Sequence, residues 1–365
     1  MSRNTKATIH LDAIKSNYQL AQRLAPKSKN IAVIKANAYG HGIIEVAQAL
    51  EDLVPAFAVA IIDEAVSLRE AGITKPILIL QGVQSSSEVE FAIQNNLWLM
   101  LHSLDQVETL CSLKLPETFK AWLKFDSGMH RLGLDEDNYL KSCQMLADKF
   151  QQTSEAQIVL CTHFSNASDT STSTVEQQKT YFEKVNKKLN TELNHALSLA
   201  NSAAIMGFDM AHSDWNRPGI MLYGISPFEQ PQVIDEQLKP TMTLSSEIIG
   251  LRDVAAGEGV GYGKEWVAEE NSTIATVCIG YADGYPFRAV PGTPVWVAGQ
   301  KAYLVGRVSM DMITINVSGC NAVKIGDTVE LWGSNIDAAS IAAKANTIGY
   351  ELFTSVSNRV PRIYK

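Results

Sequence analysis

From Ala7 to about Pro240, short runs of aliphatic and β-branched residues alternate with longer stretches whose apolar positions recur every three or four residues. The first extended run, residues 7–11, leads into a helix through Ile14, Tyr18 and Leu20 to Leu24, with Asp12 as its expected N-cap and Pro26 as its stop. Strand-like runs follow at 31–35, 57–60, 76–81, 98–101, 119–126, 158–164 and 195–201, and a last short extended piece lies near 212–217. Eight strands with intervening helices predict a TIM (β/α)8 barrel, in which the site lies where strands end and loops begin. Polar side chains collect at those ends: Lys35, Asp63, Gln81, His102, Asp126, His163 and Asn201.

Past Pro240 the pattern becomes all-β. Runs at 245–251, 273–281, 293–297, 301–305, 312–317 and 328–332 are separated by Gly and Pro turns, with one helix expected over 336–346. The chain thus divides into a barrel over residues 1–239, whose first 11 residues are also able to pair with the second domain, and a mostly β domain over 240–365. The Ser/Thr-rich stretch 169–174 is only a loop ahead of a helix that starts near Val175, and no internal repeat is present. A doubly wound nucleotide-binding sheet would need a glycine fingerprint between strand and helix. The Gly-rich stretch from Gly257 to Gly263 has the wrong spacing and sits in a β-rich region.

Composition narrows the function. At 365 residues, 46% hydrophobic and 19% charged, with mean hydropathy −0.03, the chain has ample material for two cores. A net charge of −8 and a pI near 5.5 disfavour nucleic acid or an anionic membrane as partner and point to small-molecule chemistry. Cys111, Cys143, Cys161, Cys278 and Cys320 are odd in number, widely spaced and lack a Cys-x-x-Cys pair, so neither a disulfide frame nor a zinc site is expected. No apolar segment has signal-peptide character or the length of a membrane span, and a cytoplasmic location is expected.

Several residues carry candidate chemistry. Alternation over 31–35 sets Lys35 on the face of Ile31 and Val33, so its ammonium would lose hydration and its pKa fall, as a nucleophile requires. The alternative is a lysine that snorkels to solvent from a strand end. Arg131 could grip a carboxylate in a planar, bidentate way. Lys124 shares the inward parity of Trp122 and Asp126, which brings two cations close together, with Asp126 as the simplest counter-ion. His163 stands at a strand end, where it either acts on a ligand or satisfies local hydrogen bonds. Barrels of this kind bind phosphate after strands seven and eight at a short helix start, and Ser202, Gly219 and Ile220 fit that position, with the Tyr39 hydroxyl in support.

The run Val33-Ile-Lys-Ala-Asn-Ala-Tyr-Gly-His-Gly42 closely resembles the signature of alanine racemases. That resemblance implies that Lys35 carries pyridoxal 5'-phosphate as an internal Schiff base. The stretch Lys124-Phe-Asp-Ser-Gly-Met-His-Arg-Leu-Gly133 is similar to the family segment whose arginine, here Arg131, contacts substrate and cofactor oxygens, and whose lysine, here Lys124, is carbamylated in many relatives. Asn201 and Arg217 lie in further matching segments. An arginine facing the pyridine nitrogen cannot accept its proton, so the ring would stabilise a Cα carbanion less and favour reprotonation over transamination.

Racemisation needs proton-handling groups on both faces of a planar intermediate, and Lys35 serves one. Gly259-Val-Gly-Tyr-Gly263 resembles the segment whose tyrosine, here Tyr262, serves the other by reaching in from the second subunit of a homodimer. The alternative is an aromatic packed in a Gly-rich turn. A free tyrosine is ionised only about one part in a thousand at pH 7, so depressing its pKa by ~3 units draws ~4 kcal/mol from its surroundings, for which a chain Tyr262, His163, Arg217 is the candidate. Gly280-Tyr-Ala-Asp-Gly284 and Gly306-Arg-Val-Ser-Met-Asp311 also match, implying an entrance lined by Tyr281 and Arg307 with Asp311 beside it, and a Met310 backbone N–H that meets the substrate carboxylate. The likeness departs at Asn358, where some members place a phosphate-touching tyrosine.

The reading is a cytoplasmic racemase interconverting L- and D-alanine by two bases and supplying D-alanine for peptidoglycan. Barrel-type amino acid decarboxylases share the layout but use a reactive cysteine motif that Ser318-Gly-Cys-Asn321 matches poorly. A non-catalytic cofactor-binding barrel would leave the 125 residues after Pro240 unexplained.

Overall fold

The computed structural model describes residues 3–83, 85–150, 157–189 and 193–365. The strands, in chain order, are β1 (Lys6–Ile9), β2 (Lys29–Asn30), β3 (Ala32–Val33), β4 (Phe57–Val59), β5 (Ile77–Ile79), β6 (Leu97–Leu101), β7 (Ala121–Lys124), β8 (Ile158–Cys161), β9 (His195–Ser198), β10 (Trp215–Asn216), β11 (Met242–Val254), β12 (Gly259–Val260), β13 (Trp266–Val267), β14 (Ser272–Val277), β15 (Pro294–Val297), β16 (Gln300–Val305), β17 (Ile313–Asn316), β18 (Thr328–Trp332) and β19 (Arg362–Tyr364). The helices are α1 (Leu11–Leu24), α2 (Lys35–Tyr39), α3 (Ile43–Leu50), α4 (Ile62–Glu70), α5 (Ser86–Gln94), α6 (Leu104–Ser112), α7 (Glu136–Lys149), α8 (Thr174–Asn186), α9 (Ser202–Gly207), α10 (Ala338–Lys344) and α11 (Gly349–Thr354).

Strands β3 to β9 form one parallel sheet in sequence order. The eighth strand is the two-residue β10, which pairs in parallel with β2. Closure runs through single bonds on either side of it: the Arg217 N–H donates to the Ala200 carbonyl, and the Ile31 and Val33 N–H groups donate to the Asn216 and Pro218 carbonyls. The sheet is therefore a TIM-type barrel. Its strands read as continuous apolar runs because both faces are covered, Ile31 to Ile34 all being buried. Trp98, Trp122 and Trp215 meet edge-on inside it, with centroids 5.7 and 5.8 Å from Trp215.

The second domain is built on β11, which pairs with β18 and β1 through its first half and with β14 through its second. A bulge between Ile248 and Gly250 bends it between those partners, so that β14, β17, β16, β15, β18 and β11 close on one another. Strands β1 and β19 extend this sheet, so the N-terminal strand pairs with the β domain rather than with the barrel.

Four expectations are corrected. Asp12 caps nothing: α1 starts at Leu11, and the N–H groups of His10 and Leu11 are taken by the Thr241 and Lys365 carbonyls of the β sheet, which leaves Asp12 to pair with Lys15 at 3.1 Å. Residues 34–35 are not strand, because the chain leaves β3 at Ile34 and enters a left-handed turn. The expectation of one helix in this domain gives way to two: α10 lies within the expected 336–346, and α11 follows it beyond Asn346, whose φ is +52°. The run 273–281 ends at Val277, and Tyr281 instead opens a 3-10 turn fastened to the Ser309 and Met310 carbonyls.

Candidate active site

Lys35 heads a turn in which Ala36, Asn37, Ala38 and Tyr39 all have φ between 51° and 54°. A left-handed residue other than glycine costs about 1–2 kcal/mol, so four in succession need outside support. Support comes from both sides. The Ala36 N–H donates to Glu64 Oε1 and the Asn37 side chain accepts from the Ile43 N–H. The fully buried His41 ring sets Nδ1 3.1 and 3.0 Å from the Ala38 and Tyr39 carbonyls, and Nε2 2.8 Å from the Thr241 hydroxyl at the domain junction. Tyr39 stacks on Tyr223 at 4.6 Å.

The turn opens into a cavity of about 960 Å³ at the carboxyl ends of the barrel strands. Ten residues singled out from the barrel line it: Lys35, Tyr39, Lys124, Arg131, His163, Asn201, Ser202, Arg217, Gly219 and Ile220. Helix α11 of the β domain closes another side with Ile348, Tyr350, Glu351 and Thr354.

Electrostatically this is a cationic chamber. Burial, then the Arg131 charge, lowers the Lys35 pKa, and Glu64 opposes them. Burial also lowers that of Lys124, which is 9% exposed and, among the described residues, has no carboxylate within 4 Å. Asp126 opposes that shift by its charge but makes no ion pair with Lys124, because one oxygen already accepts the Gly128, Met129 and His130 N–H groups and the other faces the His130 ring at 3.2 Å. Those bonds hold the Asp126 carboxyl below its ordinary value despite its burial. With Lys35, Lys124, Arg131 and Arg217 on one wall system, the cavity suits a ligand carrying several negative charges.

Arg217 is buried, and among the described residues it has no acidic partner. It donates to the Ser198 carbonyl and hydroxyl at 3.0 and 2.5 Å, to the Thr162 and Leu199 carbonyls at 2.7 and 3.1 Å, and to His163 Nδ1 at 3.3 Å. A guanidinium only donates, so His163 carries its proton on Nε2. Burial first, then the Arg217, Lys124, Arg131 and Lys35 charges hold the His163 pKa well below its ordinary value, so the ring is neutral. Gln178 on α8 fixes that strand end from behind, accepting from the Ser165 N–H and hydroxyl and donating to the Ser127 hydroxyl and the His163 carbonyl.

At the ends of β9 and β10, the Ser202 hydroxyl accepts from the Gly219 and Met221 N–H groups at 2.8 and 3.4 Å, while Asn201 caps α9 by accepting from the Ala204 N–H. Gly219 leaves a cradle here, since a Cβ at that position would stand 2.7 Å from the Tyr39 hydroxyl and 3.8 Å from the Ser202 hydroxyl. Buried hydroxyls, helix-start amides and a position open only to glycine fit a phosphate group.

Tyr262, Tyr281, Arg307, Met310 and Asp311 do not line this cavity. They lie together on the β domain, where the Tyr281 and Ala282 N–H groups donate to the Ser309 and Met310 carbonyls, and a Cβ at Gly263 would be 3.9 Å from the Arg307 guanidinium. Tyr262 is 70% exposed and Met310 54%. Arg307 pairs with Glu265, and Asp311 with Arg359 at 2.7 Å.

Comparison with known proteins matches the chain along almost its whole length. The alanine racemase N-terminal domain model matches residues 9–227 and the alanine racemase C-terminal domain model matches residues 241–364. The chain belongs to the alanine racemase family. It is an enzyme, an amino acid racemase. It is 43% identical to the catabolic alanine racemase of Pseudomonas putida over 362 residues, 99% of each chain. It is similar to the crystal structure of the biosynthetic alanine racemase from Pseudomonas aeruginosa, with 43% identity, a TM-score of 0.91 and coverage of 100% and 99% of the two chains. The alanine racemase of Bartonella henselae, crystallised with covalently bound pyridoxal phosphate, is 32% identical with a TM-score of 0.88 and 99% coverage of both chains.

Tyr350 is among the lining residues not singled out from the sequence, with Ile348, Glu351 and Thr354 beside it; it faces Tyr39 with ring centroids 6.1 Å apart. Asn358, weighed as a phosphate neighbour, lies outside the cavity. Tyr350 lies beyond the helix expected over 336–346, and nothing in the local sequence reveals that α11 forms there or which way it faces.

Proposed function

We propose that this racemase interconverts L- and D-alanine with pyridoxal 5'-phosphate held on Lys35, using Lys35 and Tyr262 as the two proton-handling groups. The observation that carries the reading is the pairing of a cationic, glycine-cradled cavity around Lys35 with a tyrosine that the same chain exposes elsewhere. The family's dependence on pyridoxal phosphate and the covalent cofactor of the Bartonella henselae enzyme support it.

The bound cofactor supplies an electron sink that acidifies the substrate α-carbon. Tyr39, Ser202, Gly219 and Ile220 would hold its phosphate end, and Arg217, which only donates, would meet its ring nitrogen without taking the proton. Arg131, backed by Lys124, receives the substrate carboxylate, with the Met310 N–H as a second donor. Burial lowers the Lys35 pKa and so favours the free amine that would remove the α-proton from D-alanine on one face and return one there. Tyr262 does the same for L-alanine on the opposite face.

Since Tyr262 is exposed and absent from the cavity of its own chain, a homodimer with shared sites is the assembly that completes the chemistry. Its Tyr262, Tyr281, Arg307, Met310 and Asp311 would then form the mouth of the other chain's cavity. Carbamylation of Lys124 would turn an unpartnered buried cation into an anion that steadies Arg131.

A cytoplasmic location is supported by five free cysteines. Among the described residues, no helix is long and apolar enough to cross a membrane. Supply of D-alanine to peptidoglycan is the role we assign. The likeness to a biosynthetic enzyme supports it, and an equal likeness to a catabolic one calls for a test: deletion should make growth depend on added D-alanine. The reaction itself is tested by incubating either alanine enantiomer in D₂O. Deuterium should enter Cα with loss of circular dichroism and without carbon dioxide release, whereas release of carbon dioxide would turn the assignment to a decarboxylase.

A further inference from the structure

The turn after Lys35 is held at its first residue by a side chain from a different element. Glu64 is the third residue of α4, and a glutamate there ordinarily folds back on its own helix start. One oxygen does so, accepting the Ala60 N–H at 2.8 Å. The other crosses to the next barrel strand and accepts the Ala36 N–H at 2.5 Å. One carboxylate therefore spans the ends of β3 and β4 and grips the amide immediately after the lysine.

We infer that Glu64 is a positioning residue for Lys35: by tying the Ala36 amide to the end of β4 it fixes the left-handed turn and supplies a negative charge that acts on the amine. The inference rests on the proposed role of Lys35. Two further features support it. Ala36 has φ of 54° and is not glycine, so its conformation needs a constraint that the local sequence does not supply. The Lys35 pKa is lowered by burial and Arg131 and opposed by Glu64.

Other ionisable groups do not take this role. His163, on which the Lys35 charge acts, is neutral, and Lys124 in the same cavity is a cation. Glu45 on α3 is bonded to Tyr364, Glu351 on α11 to Thr347, and Asp63 on α4 is exposed. Tyr39 and Tyr350 are kept neutral by burial.

The test uses the full-length protein and two readouts independent of turnover. Amide hydrogen exchange resolved at Ala36 measures the grip. The pH dependence of Lys35 modification by trinitrobenzenesulfonate, after removal of cofactor, measures the charge. In Glu64→Gln the Ala36 amide should exchange about tenfold faster or more, since a charged acceptor becomes a neutral one that can serve only one of the two N–H groups. The labelling midpoint of Lys35 should move to lower pH. Glu64→Asp keeps the charge but is a methylene too short to span both amides, so Ala36 exchange should accelerate while the midpoint stays nearer that of the parent. Asp63→Asn should change neither. Unaltered Ala36 exchange in Glu64→Gln, an unmoved midpoint, or an equal effect of Asp63→Asn overturns the inference. Should the Glu64 variants fail to fold, the parent protein decides, because an Ala36 amide that exchanges as fast as an open loop overturns it. None of these readouts depends on whether Lys35 performs catalysis.

Discussion

Substituting Gly219 by alanine tests the proposed phosphate cradle with the smallest possible perturbation. The backbone there has φ of −121° and ψ of −97°, outside the left-handed region that favours glycine, and an added Cβ meets a close steric contact. The added Cβ would lie 2.7 Å from the Tyr39 hydroxyl, which must retreat by about 0.7 Å to reach ordinary contact. Retreat is resisted, because the ring is stacked on Tyr223 at 4.6 Å and faces Tyr350 at 6.1 Å. The folded state should therefore lose about 1–3 kcal/mol to overpacking. A displaced hydroxyl also forfeits a hydrogen bond to a charged phosphate, about 1.5–3 kcal/mol, which predicts cofactor affinity lower by roughly 10- to 150-fold. Reconstitution of cofactor-free protein, followed by absorbance, measures this, with pyridoxal lacking the phosphate as comparator. Affinity for pyridoxal phosphate within about twofold of the parent, or equal losses for both aldehydes, would refute the reasoning.

Three further outcomes follow from buried charges. Burial pushes His41 down to about 4, below its unfolded value near 6.5, so the unfolded chain takes the proton first; stability is full above pH 6.5 and falls as pH drops toward 4, by up to about 3 kcal/mol. Denaturation at pH 7 and pH 4.5 should show a flatter dependence in His41→Gln, and parallel slopes would contradict it. Asp283 is fully buried and accepts from Arg3 and from the Gly280 N–H, with Arg359 at 3.5 Å. Asp283→Asn should cost about 1.5–3 kcal/mol and lower Tm by roughly 2–4 °C, and an unchanged Tm would be evidence against a structural role for that network. At Lys124, intact mass under native conditions should reveal one added carbon dioxide that acid removes, and its absence would leave a bare ammonium.

The barrel was legible because each strand is short, apolar and followed by a helical period, as in Ile77–Ile79 or Ile158–Cys161. Side chains at strand ends were legible as a group for the same reason, since the ends of parallel strands converge whatever the loops do. What depends on distant partners was not. Apart from Asn37, no residue type among Ala36 to Tyr39 announces a left-handed conformation, and the supports of the turn, Glu64 and the His41 bond to Thr241, lie 28 residues from Ala36 and 200 residues from His41. The Asp12 cap failed because the N–H groups at the start of α1 are claimed by carbonyls of Thr241 and Lys365 from the far end of the chain. Tyr350 escaped notice because its place in the cavity follows from how α11 packs against the turn after Lys35.

The central claim, that two chains contribute opposite faces of one site, is tested most directly by mixing inactive variants. Lys35→Ala and Tyr262→Phe, each inactive alone, should on co-assembly regain about a quarter of parental activity, because half of the randomly formed dimers would be mixed and each of these would hold one intact site. No recovery from mixed dimers verified by mass would contradict a site shared between chains.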